Sequence, residues 1–306
     1  MVRPLVIVIG GPTASGKTDL AINLAKHYGT DIISADSRQC YREMNIGVAK
    51  PTPGQLKEVQ HYFINSHSVV EQVTAATFEN YALDAAASIF ARRPVAIMVG
   101  GTGLYIRAFC SGLDNIPPVP QEVRQQVNQD YQAFGLSWLQ EQVKTLDPGY
   151  WQQAEQQNPH RLLRALEVCL ATGKSINTFR QGVAKQRPFD YCQFAIDIPR
   201  ETLYERINNR VDAMMRDGLP DEVAGLQQFR HLKALQTVGY AELFRHIDGE
   251  YDLKKAVDEI KKNTRHYAKR QLTWFKSVPG TRWLPPESAF ETITQEYPFP
   301  FATVQP

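Results

Sequence analysis

Gly11-Pro12-Thr13-Ala14-Ser15-Gly16-Lys17-Thr18 follows directly on the apolar run Leu5-Val6-Ile7-Val8-Ile9 and meets the phosphate-loop pattern G-x-x-x-x-G-K-[ST] at every fixed position. A glycine-rich turn of this kind aims several backbone N–H groups inward, at the N-terminus of a helix whose dipole already favours negative charge. Lys17 adds a mobile point charge, and Thr18 a hydroxyl suited to Mg2+. The competing reading is a chance Gly-rich turn. A strand before, a helix after and an intact Gly-Lys-Thr argue against it, so residues 11 to 18 are expected to grip a polyphosphate.

Outward from this loop the chain alternates short apolar strands with helical stretches through residue 110, as a parallel sheet with crossover helices requires. Strands are expected over Leu5–Ile9, Asp31–Ala35 and Pro94–Val99, and helices over Lys17–His27 and Phe78–Ala91. The character changes at the Pro-rich boundary Ile116-Pro117-Pro118-Val119-Pro120. A Gln-rich stretch with helical spacing over Gln121–Phe134, Ser137–Thr145 and His160–Thr172 follows, the last closed by Gly173. A strand over Gln193–Ile198 and helices over Arg200–Arg216, Asp221–Phe229, Tyr240–His246 and Leu253–Trp274 mark a return to the core. The fold class is therefore α/β: a P-loop NTPase-like parallel sheet core flanked by helices (residues 1–114 and 188–306), with an inserted all-helical subdomain over 115–187.

With 306 residues the chain has ample surface to bury without disulfide or metal staples. Its four cysteines, Cys40, Cys110, Cys169 and Cys192, form no C-x-x-C pair, which predicts reduced, packed thiols. The N-terminus has no signal-peptide character, and no apolar stretch approaches the roughly 18 residues of a membrane span. A cytoplasmic protein is expected. A net charge of +2 identifies no partner by itself.

Several residues could do chemistry. Asp36 follows a strand edge beside the phosphate loop, where a carboxylate can act as general base; a turn-forming or capping Asp is the alternative. The strand over Val95–Val99 runs into Gly100-Gly101-Thr102-Gly103-Leu104-Tyr105, where many phosphate-loop ATPases carry a metal-positioning Asp. This second Gly-rich loop is expected to offer N–H groups and the Thr102 hydroxyl to phosphate. Arg206 and Arg210 share a helical face, so either could reach the site and stabilise a departing phosphate. Residues 261–286 carry Lys261, Lys262, Arg265, Lys269, Arg270, Lys276 and Arg282 without Asp or Glu, interleaved with Tyr267, Trp274, Phe275 and Trp283. Basic groups can pair with phosphates while aromatic faces stack bases, although a solvated face and a packed helix would read the same way. His160, Arg161 and Arg164 form a second basic patch in the insertion.

Taken together, these motifs resemble the tRNA dimethylallyltransferases, also called tRNA isopentenyltransferases, of the bacterial type. The resemblance rests on Gly11 to Thr18, on Asp36-Ser37-Arg38-Gln39-Cys40-Tyr41 followed by Ile46-Gly47-Val48-Ala49-Lys50-Pro51, and on Gly100 to Tyr105. It continues through Arg161-Leu162-Leu163-Arg164-Ala165-Leu166-Glu167, Arg210-Val211-Asp212, Gly218-Leu219, Gly239-Tyr240 and Lys269-Arg270-Gln271-Leu272-Thr273-Trp274-Phe275. Cys40 and His160 stand where the family more often has Val and Gln, and Ala241 where a basic residue is common. The zinc-finger extension of eukaryotic members is missing from the motifs.

The resemblance implies transfer of the dimethylallyl group from dimethylallyl diphosphate to N6 of the adenosine just 3′ of the anticodon, giving N6-isopentenyladenosine. Gly11, Pro12, Thr13, Ala14, Ser15, Gly16, Lys17 and Thr18 would then hold diphosphate, with Mg2+ on Thr18. By the same resemblance Asp36 takes the proton of the adenine amine, and Thr13, Lys17 and Arg210 stabilise the leaving group. tRNA contacts are expected from Asp36, Ser37, Arg38, Gln39, Thr102, Arg124, His160, Arg161, Arg164, Lys269, Arg270, Gln271 and Trp274, and a monomer is expected. Two other functions fit the motifs: an ATP-dependent phosphate-loop kinase of a small molecule with Asp36 as base, and a non-enzymatic RNA-binding protein.

Overall fold

The structure is a computed structural model, and it describes residues 3–298. It divides into two compact units, of which residues Ser111–Lys185 form the second and the rest of the described chain the first.

The first unit begins with β1 (Leu5–Gly10), α1 (Lys17–Tyr28), β2 (Ile32–Ser34), α2 (Pro53–Glu58), β3 (His61–Tyr62), α3 (Ala75–Phe90), β4 (Val95–Val99) and α4 (Gly103–Ser111). The second unit contains α5 (Gln121–Leu146), α6 (Pro148–Trp151) and α7 (Pro159–Thr172). The chain then returns to the first through β5 (Asp190–Ile196), α8 (Arg200–Arg216), α9 (Leu219–Gly225), α10 (Tyr240–Ile247), α11 (Leu253–Ser277), β6 (Arg282–Leu284) and α12 (Pro286–Glu296).

The strands form one sheet in the order β3-β2-β4-β1-β5-β6, and every pair is parallel. β1 and β4 are apolar at every position and fully buried, as strands covered on both faces must be. Side chains alternate between two cores. Leu5, Ile7, Ile9, Ile32 and Ile97 face Leu20 and Leu24 of α1 and Ile293 of α12. Val6, Val8, Ile33 and Met98 face Phe78 of α3, Phe109 of α4, Tyr240 of α10 and Phe275 of α11. The register sets Ile9 beside Val99, and Val99 beside Ser34. The carboxyl ends of β1, β4 and β2 therefore lie level, and the three loops that leave them emerge side by side, the edge at which open α/β sheets hold ligands.

Three glycines allow close packing at that edge. A Cβ on Gly10 would sit 2.1 Å from the Phe275 ring, one on Gly103 2.1 Å from the Trp274 ring, and one on Gly100 2.2 Å from the Ala35 carbonyl oxygen. Residues 100–103 are thus a packing seam. The Gly100 N–H donates to Ile9 (3.1 Å) and the Thr102 N–H to Ala35 (3.2 Å), so these two donors are used within the protein.

The second unit packs its helices on Val127, Leu139, Val143, Leu162, Leu166 and Ile176. Its long helix α5 breaks at Gly135 (φ 75°, ψ −168°), where the sequence separates two helical segments. Asn158 caps α7 by accepting from the Arg161 N–H, and Gly173 closes it in the left-handed conformation. Against expectation, the segment after Gly218 is a short helix followed by a 3-10 turn over Gln227–Phe229. Among the described residues no helix is long and apolar enough to cross a membrane.

The obstruction at Gly100 is backbone, which cannot swing aside. Gly100→Ala is expected to destabilise the protein by about 1–3 kcal/mol. Gly54→Ala, in α2 where the nearest atom to a new Cβ is 3.7 Å away, is expected to be neutral or to stabilise by roughly 0.4–1 kcal/mol. Urea denaturation of both variants checks the contrast.

Candidate active site

The loop between β1 and α1 has positive φ at Gly11 (130°), Ala14 (64°) and Gly16 (92°). These turns curl the backbone so that its N–H groups face inward at the start of α1. Lys17 Nζ donates to the Pro12 carbonyl within the same loop. Desolvation lowers the Lys17 pKa to about 7, with the positive charge of Arg210 adding to the drop and the Asp36 carboxylate opposing it. The Ser15 hydroxyl is buried in the loop without a hydrogen-bond partner.

α8 delivers Arg210 to this loop. Its Nη1 donates to Thr13 Oγ1 at 3.3 Å, while Arg206, one turn earlier, is exposed. Burial lowers the pKa of Arg210, and the nearby Asp19 carboxylate works the other way. Two cations thus share one partly desolvated loop, a costly arrangement that an anion relieves.

Asp36 sits just past β2. Its Oδ1 accepts the N–H groups of Arg38 (2.8 Å) and Gln39 (3.3 Å), so the carboxylate shapes its own turn as well as facing the site. The Ser37 N–H donates to Thr102 Oγ1 at 3.1 Å, which ties the Asp36 turn to the loop after β4. Cys40, beside it, is fully buried; burial, and then the Asp36 charge, push its thiol up to about 12, so it is a packed thiol and no nucleophile.

Thr13, Lys17, Thr18, Asp36, Ser37, Arg38, Gln39, Arg210, Arg270 and Gln271 line one cavity of about 780 Å³. Much of its remaining wall comes from segments that sequence reading did not assign: Gly47 to Pro51, Gln236 to Gly239, and Tyr267 on α11. Burial, and then the Asp36 charge, push the Tyr267 phenol up to about 12, so it stays protonated as a donor. Val48, Val99, Val211, Met214, Val238 and Ile260 give the cavity an apolar side.

Two of the expected RNA contacts also hold the protein's own loops. Gln271 is 5% exposed, and both ends of its amide are used within the protein: Oε1 accepts from the Thr13 N–H (2.8 Å) and Nε2 donates to the Gly101 carbonyl (3.0 Å). Trp274 is half-buried with its ring over Gly103. Lys269 and Arg270 are exposed, and Arg270 borders the cavity. Elsewhere in the basic segment, Lys261 pairs with Asp212 (2.6 Å), Lys262 with Glu259 (3.2 Å) and Arg282 with Glu296, and Arg265 donates to Asn208 (2.7 Å).

In the second unit, Arg124 and Arg164 converge on Glu167 (3.9 and 3.5 Å), Arg161 pairs with Glu155 (2.6 Å), and His160 is exposed.

A family model described as IPP transferase matches residues 39–278. The chain belongs to the IPP transferase family. Among relatives of this family, a protein of Bacteroides thetaiotaomicron named tRNA dimethylallyltransferase 1 is 43% identical over 290 residues, 95% of this chain and 94% of its own. A tRNA dimethylallyltransferase of Christiangramia forsetii is 46% identical over 278 residues, 91% of this chain and 92% of its own. The crystal structure of the tRNA isopentenylpyrophosphate transferase of Bacillus halodurans superimposes with a TM-score of 0.70 at 32% identity, covering 96% of this chain and 95% of that one.

The lowered pKa of Lys17 carries a pH signature. An unfolded chain holds the lysine proton up to 10.5, whereas the folded chain releases it near 7, so between these values the unfolded state binds more protons. Stability is therefore expected to rise with pH across that window, by up to about 1.4 kcal/mol per pH unit. Denaturation of Lys17→Met at the same pH values is expected to lack that rise.

Proposed function

We propose that this chain transfers a dimethylallyl group from dimethylallyl diphosphate to N6 of the adenosine just 3′ of the tRNA anticodon. One observation carries the reading: a phosphate-gripping loop with Lys17 and Arg210, and the Asp36 carboxylate, open on the same cavity. At the end of β4, where a phosphate-loop ATPase places a carboxylate, Gly100 has no room for a side chain against Ala35. That absence suits a site in which diphosphate departs whole.

In this reaction the adenine amine attacks the first carbon of the allylic group. A nitrogen–carbon bond forms, the carbon–oxygen bond to diphosphate breaks, and the amine proton passes to the Asp36 carboxylate. The phosphate loop, Lys17, Arg210 and Thr13 take up the charge that grows on the leaving group, which is the largest help such a site can give. The Thr18 hydroxyl, on the cavity wall, would help hold Mg2+, which would supply positive charge to the diphosphate. Tyr267, Val48 and Ala49 also line the cavity, and keeping water from it would protect the allylic carbon.

The target base must leave its stack, at a cost of a few kcal/mol, and contacts to the anticodon stem-loop offset it. Lys269 and Arg270 are proposed for phosphate contacts, and Ser37, Arg38, Gln39 and Thr102 for the nucleotides around the target. Arg124, His160, Arg161 and Arg164 add positive charge from the helical unit. The reading places a monomeric enzyme in the cytoplasm.

Incubation with unmodified tRNA, Mg2+ and dimethylallyl diphosphate, followed by mass spectrometry of the nucleosides, is expected to yield prenylated adenosine. No such product with competent tRNA, or phosphorylation of a small molecule from ATP instead, would overturn the assignment. Asp36→Ala is expected to keep tRNA binding and lose most turnover. Lys269→Ala combined with Arg270→Ala is expected to weaken tRNA binding and to lower the slope of log affinity against log salt by about 1 to 2.

A further inference from the structure

Glu222 on α9 makes an unusually complete set of contacts with a segment far from it in sequence. Its Oε2 accepts the N–H groups of Asn45 (3.0 Å) and Ile46 (2.9 Å), and its Oε1 accepts the Gly47 N–H (3.1 Å) and the Tyr240 hydroxyl (2.5 Å). Three successive backbone donors and a phenol thus close on one half-buried carboxylate. Hydrogen bonds to a charged acceptor are about twice as strong as neutral ones. Tyr240 is fully buried and fills the space over Gly47, where a Cβ would lie 2.5 Å from its ring. Its phenol, held protonated by burial and by the Glu222 charge, can only donate to that carboxylate.

The held turn leads straight into the wall of the cavity, which begins at Gly47. The next two carbonyls, of Val48 and Ala49, accept the Gln39 side-chain amide at 3.3 and 3.0 Å. Gln39 in turn gives its backbone N–H to the Asp36 carboxylate at 3.3 Å. Hydrogen bonds joined by short stretches of backbone and the Gln39 side chain lead from Glu222 through residues 45–49 and Gln39 to Asp36, while Glu222 itself is absent from the cavity lining.

We propose that Glu222 is a positioning residue, whose carboxylate fixes the 45–49 wall and, through Gln39, the orientation of the Asp36 carboxylate toward the acceptor. Its effect on turnover rests on the function proposed above; its effect on the wall does not. Glutamine at position 222 would turn an N–H2 group toward donors, so Glu222→Gln breaks the arrangement with almost no change in volume. Glu222→Asp keeps the charge but shortens the reach.

Steady-state prenylation of tRNA is expected to show kcat of Glu222→Gln lowered about 10- to 100-fold, the cost of misplacing a reacting group, with the tRNA KM within about twofold of wild type. Glu222→Asp is expected to fall between. Gln39→Ala and Glu222→Gln are expected to be non-additive, the double variant being no slower than the slower single one, because both break the same chain. Amide hydrogen exchange in the absence of substrate is expected to quicken at Asn45, Ile46 and Gly47, and also at Gln39, in Glu222→Gln. An unchanged kcat in an active enzyme, additive effects, or exchange confined to 45–47 would overturn the proposal. If Glu222→Gln does not fold, Glu222→Asp is read by the same criteria. If wild type transfers no prenyl group, the functional reading fails, and the exchange at Gln39 alone decides the positioning.

Discussion

The amide of Gln271 is the tie on which the site depends. Its oxygen holds the Thr13 N–H of the phosphate loop and its nitrogen holds the Gly101 carbonyl at the end of β4, so one buried side chain joins α11 to two sheet-edge loops. A buried amide of this kind must be satisfied at both ends, since each unpaired polar group costs about 1–3 kcal/mol. Its geometry therefore admits little play. The surrounding contacts lock it further: Phe275, one helical turn on, lies against Gly10 before the phosphate loop, and Trp274 lies over Gly103. α11 thus fixes the phosphate loop from its buried face while its exposed face carries Lys269 and Arg270.

This double duty explains which parts of the chain could be read from sequence. The phosphate loop, the Asp36 turn and β1 and β4 announce themselves through local patterns: glycines at fixed spacing, a carboxylate after a strand, five-residue apolar runs. The helical insertion is visible in the Pro-rich shift near residue 116, although the second unit begins at Ser111. β3 and β6, with two and three residues, leave no periodicity to detect, and they exist because a neighbouring strand pairs with them. The internal bonds of Gln271 are hidden from the sequence for a related reason. Within a run of basic residues a glutamine looks like one more RNA contact, and only the packing of α11 turns it inward. Of Arg206 and Arg210, spacing alone could not choose, because both share a helical face; the bond to Thr13 chooses Arg210. The walls at Gly47 to Pro51 and Gln236 to Gly239 come from long-range packing; Gly47 to Pro51 and Gly239 are legible only as motifs without a role, and Gln236 to Val238 carry no local signal.

The electrostatics of the loop bear on the kind of chemistry it serves. Arg210 lies close enough to Lys17 to disfavour its charge, and burial disfavours the charge of both. In a low-dielectric site such cations gain most from an anion whose charge increases during the reaction. A diphosphate ester on its way to free diphosphate is such an anion, because heterolysis of the carbon–oxygen bond leaves the electron pair, and a full additional charge, on the departing oxygen. Binding the ester and binding the product then differ in strength, and that difference lowers the barrier. Asp36 stands on the other side, within the electrostatic reach of Lys17 that its effect on the lysine proton reveals. In the proposed reaction the same carboxylate that eases the charging of Lys17 accepts the proton of the attacking amine. In that reaction protonation of Asp36 removes a negative charge from the surroundings of Lys17 while negative charge grows on the leaving group, so both events act on the same lysine.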